Sequence, residues 1–188
     1  MKIRNPRTGK MDCAIEPLDA AAIEALAASL RTRQVTWAAL DIAERCQRLR
    51  KLADAIERYA PAITDALTID TGRKAISQIE VTGTIRLIRR WADNAAQIVA
   101  QHNMVNRATS IPGISTSTRL VPYPLVGVIS PWNFPLTLAL IDAIPALAAG
   151  CAVINLILSE WIFFSQSRNI SIRKRDANLS AVGVSRQL

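Results

Sequence analysis

The sequence predicts an α/β protein: a helical N-terminal part followed by one incomplete β-α-β unit. Three observations carry this. Apolar residues recur at helical spacing over roughly the first 105 positions. From Leu125 the pattern becomes an apolar run, a proline-rich polar turn, a helix and a second apolar run at Cys151–Ile154. After Ile154 nothing continues that alternation. The expected division is therefore a mainly helical segment 1–118, a β-α-β segment 119–154 and a divergent tail 155–188.

The elements are expected in the following order. Ala20–Leu30 is a short alanine-rich helix with Ile23, Leu26, Ala27 and Leu30 on one face. Trp37–Tyr59 is a long helix, since Leu40, Ala43, Leu49, Leu52, Ala53 and Ile56 recur on one stripe. Its outer face offers Asp41 to Arg45, Glu44 to Arg48 and Asp54 to Arg58 as pairs four apart. Pro61 opens a further helix that stops at Thr71-Gly72. Another runs from about Ser77 to Val99 with Ile88, Trp91, Ala95 and Ile98 buried. Its Arg86, Arg89 and Arg90 read more simply as a solvated face than as a ligand site. Ser110–Thr118 is a loop or exposed strand, and Pro122 and Pro124 exclude a central strand there. Leu125–Ile129 reads as a parallel strand covered on both faces.

Composition removes several function classes. The chain has 188 residues, is half hydrophobic and carries a net charge of +8, as a folded protein can. The charge is dispersed: residues 1–154 hold 18 Lys and Arg against 13 Asp and Glu, and 155–188 hold five against two. Without basic-aromatic interleaving, a nucleic-acid partner is not expected. Cys13, Cys46 and Cys151 are odd in number and widely spaced, so neither a disulfide framework nor a metal site is expected, and a reducing cytoplasm is the default. Leu136–Leu158 contains Asp142 and Pro145 and falls short of a membrane span. The start of the chain shows no secretory pattern.

The candidate site is the turn Ser130–Pro135. In doubly wound sheets, ligands sit beyond the carboxyl ends of strands, where the chain turns into the next helix. Pro131 and Pro135 stiffen this turn, and Pro135 suits the first helical position. Asn133 offers two N–H donors and no charge. Spacing alone favours a helix cap for Asn133; the other reading is a donor to a developing oxyanion. Each cysteine has a structural reading, Cys46 in a charged helix, Cys151 at a buried strand and Cys13 near the start. His102 has no Ser or Cys partner in a triad pattern.

Gly127-Val128-Ile129-Ser130-Pro131-Trp132-Asn133-Phe134-Pro135, followed by Ile144-Pro145-Ala146-Leu147-Ala148-Ala149-Gly150-Cys151-Ala152-Val153-Ile154, closely resembles the NAD(P)-dependent aldehyde dehydrogenase superfamily. Asp70-Thr71-Gly72-Arg73 is similar to the family's acidic-Thr-Gly-Lys turn, so the similarity spans about residues 30–154. Ser110-Ile111-Pro112-Gly113 ahead of Tyr123-Pro124-Leu125 is most similar to the branch with coniferyl-aldehyde-type enzymes. The resemblance implies that the β-α-β unit opens a Rossmann-like cofactor domain taking NAD or NADP. It implies that Asn133 is the oxyanion donor, and that Ile129, Ser130, Pro131 and Trp132 line the cofactor channel. It thereby reverses the preference for a cap.

The family next places Lys-Pro-Ser-Glu, whose lysine and glutamate hold the adenosine ribose. Here Asn155-Leu156-Ile157-Leu158 precedes Ser159-Glu160, and the family's glycine motif, general-base glutamate and nucleophilic cysteine do not follow. A reading-frame change or an insertion would give such a tail. The expectation is a truncated N-terminal piece of an aldehyde-oxidising enzyme, inactive alone and unable to hold the cofactor unaided. The helical part is expected to collapse, while the strand pair keeps both edges open, leaves its helix faces unpartnered and is poorly ordered. The alternative is a non-catalytic interaction protein. The expected partners are a small aldehyde, a second copy of the chain, a full-length relative or an acidic surface.

Overall fold

The computed structural model of the chain describes residues 2–5, 8–14, 18–157 and 182–185. It opens with an antiparallel hairpin of β1 (Lys2–Arg4) and β2 (Met11–Ala14), where the sequence suggested only helices. Helices α1 (Ala20–Ala39), α2 (Ile42–Arg58), α3 (Ala60–Thr71) and α4 (Lys74–His102) follow. Strands β3 (Met104–Ala108) and β4 (Ser115–Thr118) form a second antiparallel hairpin, exposed throughout. The α/β region comprises β5 (Leu125–Ser130), α5 (Pro135–Ile141), α6 (Ala143–Ala149), β6 (Ala152–Ile157) and β7 (Val182–Ser185). Its sheet has the order β5-β6-β7, with both pairings parallel.

Helix boundaries follow their caps. Trp37 belongs to α1, which runs nine residues beyond Leu30. The break falls at Leu40–Asp41, because the Asp41 side chain accepts the Glu44 N–H at 2.6 Å and starts α2 afresh. Asp41-x-x-Glu44 is an Asp-led relative of the capping box, a local signal stronger than the apolar period across it. Helix α3 ends as expected at Gly72, in the left-handed region at φ +71°. In α4 the buried stripe is Ser77, Glu80, Val81, Thr84, Ile85, Ile88, Ala92 and Ala95. Trp91 is half-buried and Ile98 exposed, so the stripe leads the expected one at its C-terminal end.

The ion pairs also regroup. Glu44 and Arg48 pair at 2.6 Å. Asp54 instead meets Arg89 across to α4 at 2.9 Å, and Glu57 shares that guanidinium at 2.6 Å. A charge that reads as a local helix partner thus becomes an interhelical one once α2 and α4 pack side by side.

The β-α-β unit is not a separate appendage. Ile144, Leu147, Ala152 and Val153 lie in one apolar cluster with Trp37, Leu49, Ile56, Ile63, Leu67 and Ile88, so the helix faces expected to be unpartnered are covered by α2 and α4. One strand edge is also covered: the tail returns as β7, with Val182 beside Val153 and Val184 beside Asn155. That third strand has no signal in the sequence beyond its four residues. Strand β6 is buried from Ala152 to Asn155. Strand β5 is not covered on both faces as expected, for Val128 and Ser130 are buried while Gly127 and Ile129 are exposed. Residues 158–181, including Trp161, Phe163 and Phe164, lie outside the described residues.

Helix α6 ends against three side chains from the helical region. Gln34 Nε2 donates to the Gly150 carbonyl at 2.9 Å, Trp37 Nε1 to Leu147 at 2.9 Å, and Arg45 Nε to Ala148 at 3.0 Å. The same guanidinium donates to the Ala38 carbonyl at 3.3 Å and to that of Leu40. Arg45, expected on the outer face opposite Asp41, is in fact buried. Burial lowers its pKa, but a cation at a helix C-terminus meets carbonyls that would otherwise lack partners. Gly150 makes the close approach feasible: at φ +106°, a Cβ there would meet Pro122 Cγ at 3.3 Å and the Ala38 backbone at 3.5 Å. Gly150→Ala should therefore cost about 1–2 kcal/mol from backbone strain alone. Arg45→Ala should cost about 3 kcal/mol by orphaning buried carbonyls. Thermal melts of the two variants check both, and unchanged melting would contradict the closure.

Candidate functional site

The predicted site residues lie at the carboxyl end of β5, with Ile129 and Ser130 in the strand and Pro131, Trp132 and Asn133 just beyond it. Strand alternation sends Ile129 outward, 62% exposed, and Ser130 inward, 1% exposed. Pro131 and Asn133 are exposed and Trp132 is 47% exposed. Ile129, Pro131, Trp132 and Asn133 are thus each exposed, and the Ser130 side chain faces the interior. Its hydroxyl donates to Asn155 Oδ1 at 3.5 Å, and the Asn155 amide donates in turn to the Ala139 carbonyl of α5. Asn155 therefore ties β5, β6 and α5 together.

Asn133 does not cap α5. The cap position is Phe134, with no side-chain cap bond. The free N–H groups of the helix are instead met from α4: Glu80 Oε1 accepts from Leu136 at 2.9 Å and from Thr137 at 3.0 Å. Glu80 is 4% exposed. Burial pushes its carboxyl above the ordinary value of 4.5, while those two N–H bonds and the Arg73 charge pull it back. Thr84 and Thr137 share a hydroxyl hydrogen bond at 2.8 Å. Arg73, at the N-cap of α4, donates to the Asn133 carbonyl, and its guanidinium lies 5.0 Å from the Phe134 ring centroid.

Glu80 is not singled out by the sequence. The available signal is its place as a lone carboxylate between Asp70 and Asp93, in line with Ser77 and Thr84 on a helix stripe that is otherwise apolar or small. A charge there must have a partner if the stripe is buried.

Among the described side chains, the cysteines and the histidine have structural surroundings. Cys46 and Cys151 are free and buried. Burial raises both thiols, against the lowering effect of nearby arginines, the reverse of what a nucleophilic thiol needs. The Cys13 side chain lies outside the described ones. His102 Nδ1 bonds the Ile98 carbonyl of its own helix at 2.8 Å. Among the described residues, no group of three or more His, Cys, Asp or Glu could hold a metal, and no helix is long and apolar enough to cross a membrane.

The aldehyde dehydrogenase family model matches residues 1–157, which include the turn, the helices that hold it and β6. The chain belongs to the aldehyde dehydrogenase family. Geranial dehydrogenase of Castellaniella defragrans is 36% identical over 124 residues, covering 65% of this chain and 25% of that protein. The structure of PutA of Anabaena variabilis, described as an aldehyde dehydrogenase, superposes with a TM-score of 0.89 at 37% identity. The match covers 99% of this chain and 39% of that one. An NAD-dependent benzaldehyde dehydrogenase of Corynebacterium glutamicum shares the fold, with a TM-score of 0.85 at 24% identity, over 100% of this chain and 40% of the other. The chain thus spans a quarter to two fifths of these relatives' lengths.

A dinucleotide needs a group for its pyrophosphate and a polar partner for its ribose. The described residues at the strand ends offer apolar surface from Ile129 and Trp132. The first N–H groups of α5 that could face a phosphate, those of Leu136 and Thr137, are already bonded to a carboxylate. No lysine occurs in β6. The described residues do not by themselves fit a whole dinucleotide.

Burial of the thiols and of Glu80 can be measured separately. In a Cys13→Ser variant, the two remaining thiols should react slowly with a thiol reagent at neutral pH and quickly after denaturation; fast native labelling would contradict their burial. Glu80 titrates higher in the folded chain than in the unfolded one, so folding favours its protonation. The stability of the wild type relative to Glu80→Gln should therefore rise as pH falls through the folded Glu80 value, and level off below about 4.5. Chemical denaturation at a series of pH values measures it, and parallel curves would contradict it.

Proposed function

We propose that this chain forms the N-terminal portion of an enzyme that oxidises an aldehyde to a carboxylic acid with NAD or NADP. Asn133 acts as donor to the carbonyl oxygen, and Ile129, Pro131 and Trp132, with the backbone of Ser130, border the cofactor's channel. The observation that supports this most is the exposed turn at the end of β5, where Asn133 is not engaged as the cap of α5. When a thiolate attacks an aldehyde, the carbonyl oxygen gains negative charge as the C–S bond forms. An uncharged amide donor held at that oxygen stabilises the charge without binding the neutral substrate equally well. Losing one such donor typically costs about 10²–10³ in kcat. Cys46 and Cys151 are buried and are not assigned the attacking role; under this reading the attacking sulfur and the general base lie in the part of the relatives that this chain does not match.

Under this proposal the chain divides into a helical segment 1–118, a cofactor-sheet segment 119–154 and a tail 155–188 of separate origin, and it works in the cytoplasm. A second copy or a full-length relative is the proposed partner. The exposed hairpin and the segment after it support this, since they present Val105 and Tyr123, each 76% exposed, together with Val121 and Leu120. A purely interacting, non-catalytic role is the second reading and rests on that same surface.

The test is a chimera in which residues 1–154 replace the matching segment of the Castellaniella geranial dehydrogenase. It should oxidise an aldehyde, and Asn133→Ala in it should lower kcat by about 10²–10³ with little change in KM. The 188-residue chain alone should form no NADH with aldehydes. An Asn133→Ala chimera as fast as its parent, or turnover by the chain alone, would contradict the proposal.

A further inference from the structure

The prolines at 131 and 135 stiffen the turn, but they do not say where it points. Four of the five residues from 133 to 137 are tied to α4 or to its N-cap residue. Arg73 holds the carbonyl of Asn133 and the ring of Phe134. Glu80 holds the N–H groups of Leu136 and Thr137. Thr84 holds the hydroxyl of Thr137. Glu80 and Thr84 are four apart on one face of α4, and Arg73 is the N-cap residue ahead of its first turn. That cap is itself fixed, since Ser77 Oγ donates to the Arg73 carbonyl at 2.9 Å.

We propose that Arg73 and Glu80 are positioning residues for Asn133: Glu80 fixes where α5 begins, and Arg73 fixes the backbone on either side of the Asn133 amide. This rests on the reading of Asn133 as the oxyanion donor, but its geometric content can be tested without turnover. The clamp has two unequal jaws. Glu80 is buried and accepts two hydrogen bonds, so its loss removes the acceptor from the start of the helix. The Arg73 contacts to the turn are exposed, so its loss frees Asn133 while the core stays intact. Among the described residues, the charged group that acts on Glu80 is Arg73 on its own side, with the two N–H groups on the side of α5.

The experiment is ¹⁵N NMR on the whole 188-residue chain, following the side-chain NH₂ of Asn133, the amides of Leu136 and Thr137, and α2 amides as controls. In the wild type, the Leu136 and Thr137 amide protons should move together with pH, with a midpoint above that of an ordinary carboxylate. Glu80→Gln, which keeps a carbonyl acceptor, should abolish that movement and leave Asn133 close to its original shift. Arg73→Ala should shift and broaden the Asn133 NH₂ with α2 amides unmoved, and Arg73→Lys should restore it in part. Glu80→Ala should shift Asn133 further. If that variant does not fold, Glu80→Gln and Arg73→Ala carry the test. An Asn133 signal unchanged in Arg73→Ala, or a Leu136 and Thr137 titration that persists in Glu80→Gln, would overturn the proposal. A clamp that behaves as stated beside an Asn133→Ala chimera of full activity would instead show that the oxyanion reading had failed.

Discussion

The geometry of the turn depends on helices α5 and α6 being held at both ends by side chains of the helical region. At the start of α5 a buried carboxylate, Glu80, meets two N–H groups. At the end of α6 a buried guanidinium, Arg45, meets a carbonyl, with Trp37 and Gln34 on its neighbours. Each charge has the sign that complements the helix dipole at its end. Both charges also serve groups that a helix terminus leaves without internal partners. An apolar core alone would bury this pair of short helices but would not fix their register against α2 and α4.

An incomplete sheet can therefore sit on a full core. Two parallel strands are too few to stand alone, but here Ala152, Val153 and Ile154 share one apolar cluster with residues from α1 to α4. Asn155 links the strand ends to α5, and β7 covers one edge. The turn at 131–134 stays open to the outside because its anchoring is carried by its backbone and by its flanking residues, leaving Ile129, Trp132 and Asn133 at the surface.

Much of this is legible in the residues. The α/β class, the stop at Gly72, the turn after β5 and the inert thiols of Cys46 and Cys151 follow from periodicity, glycine chemistry and apolar context. Helix junctions are less legible, because the apolar stripe runs on through Leu40 while the cap at Asp41 breaks the chain. Arg45 and Glu80 escape a reading of the sequence for a shared reason. A charged residue reads as solvent-facing until a helix end, distant in sequence, is brought against it. Residues 34, 37 and 45 meet 147–150 across more than a hundred positions, and no local pattern encodes that meeting. The hairpin β1–β2 and the strand β7 are too short to show a period.

The helical region and the β-α-β unit share one apolar core, fastened by buried charges at the two ends of α5–α6, and are expected to open as one cooperative body. Native-state hydrogen exchange measures this directly, amide by amide, across Val126–Ile154 and through α2 and α4. In one cooperative body the amides of β6 and α6 open together with those of α2 and α4, at a common free energy. Rapid exchange in β6 and α6 beside well-protected α2 and α4 would contradict it.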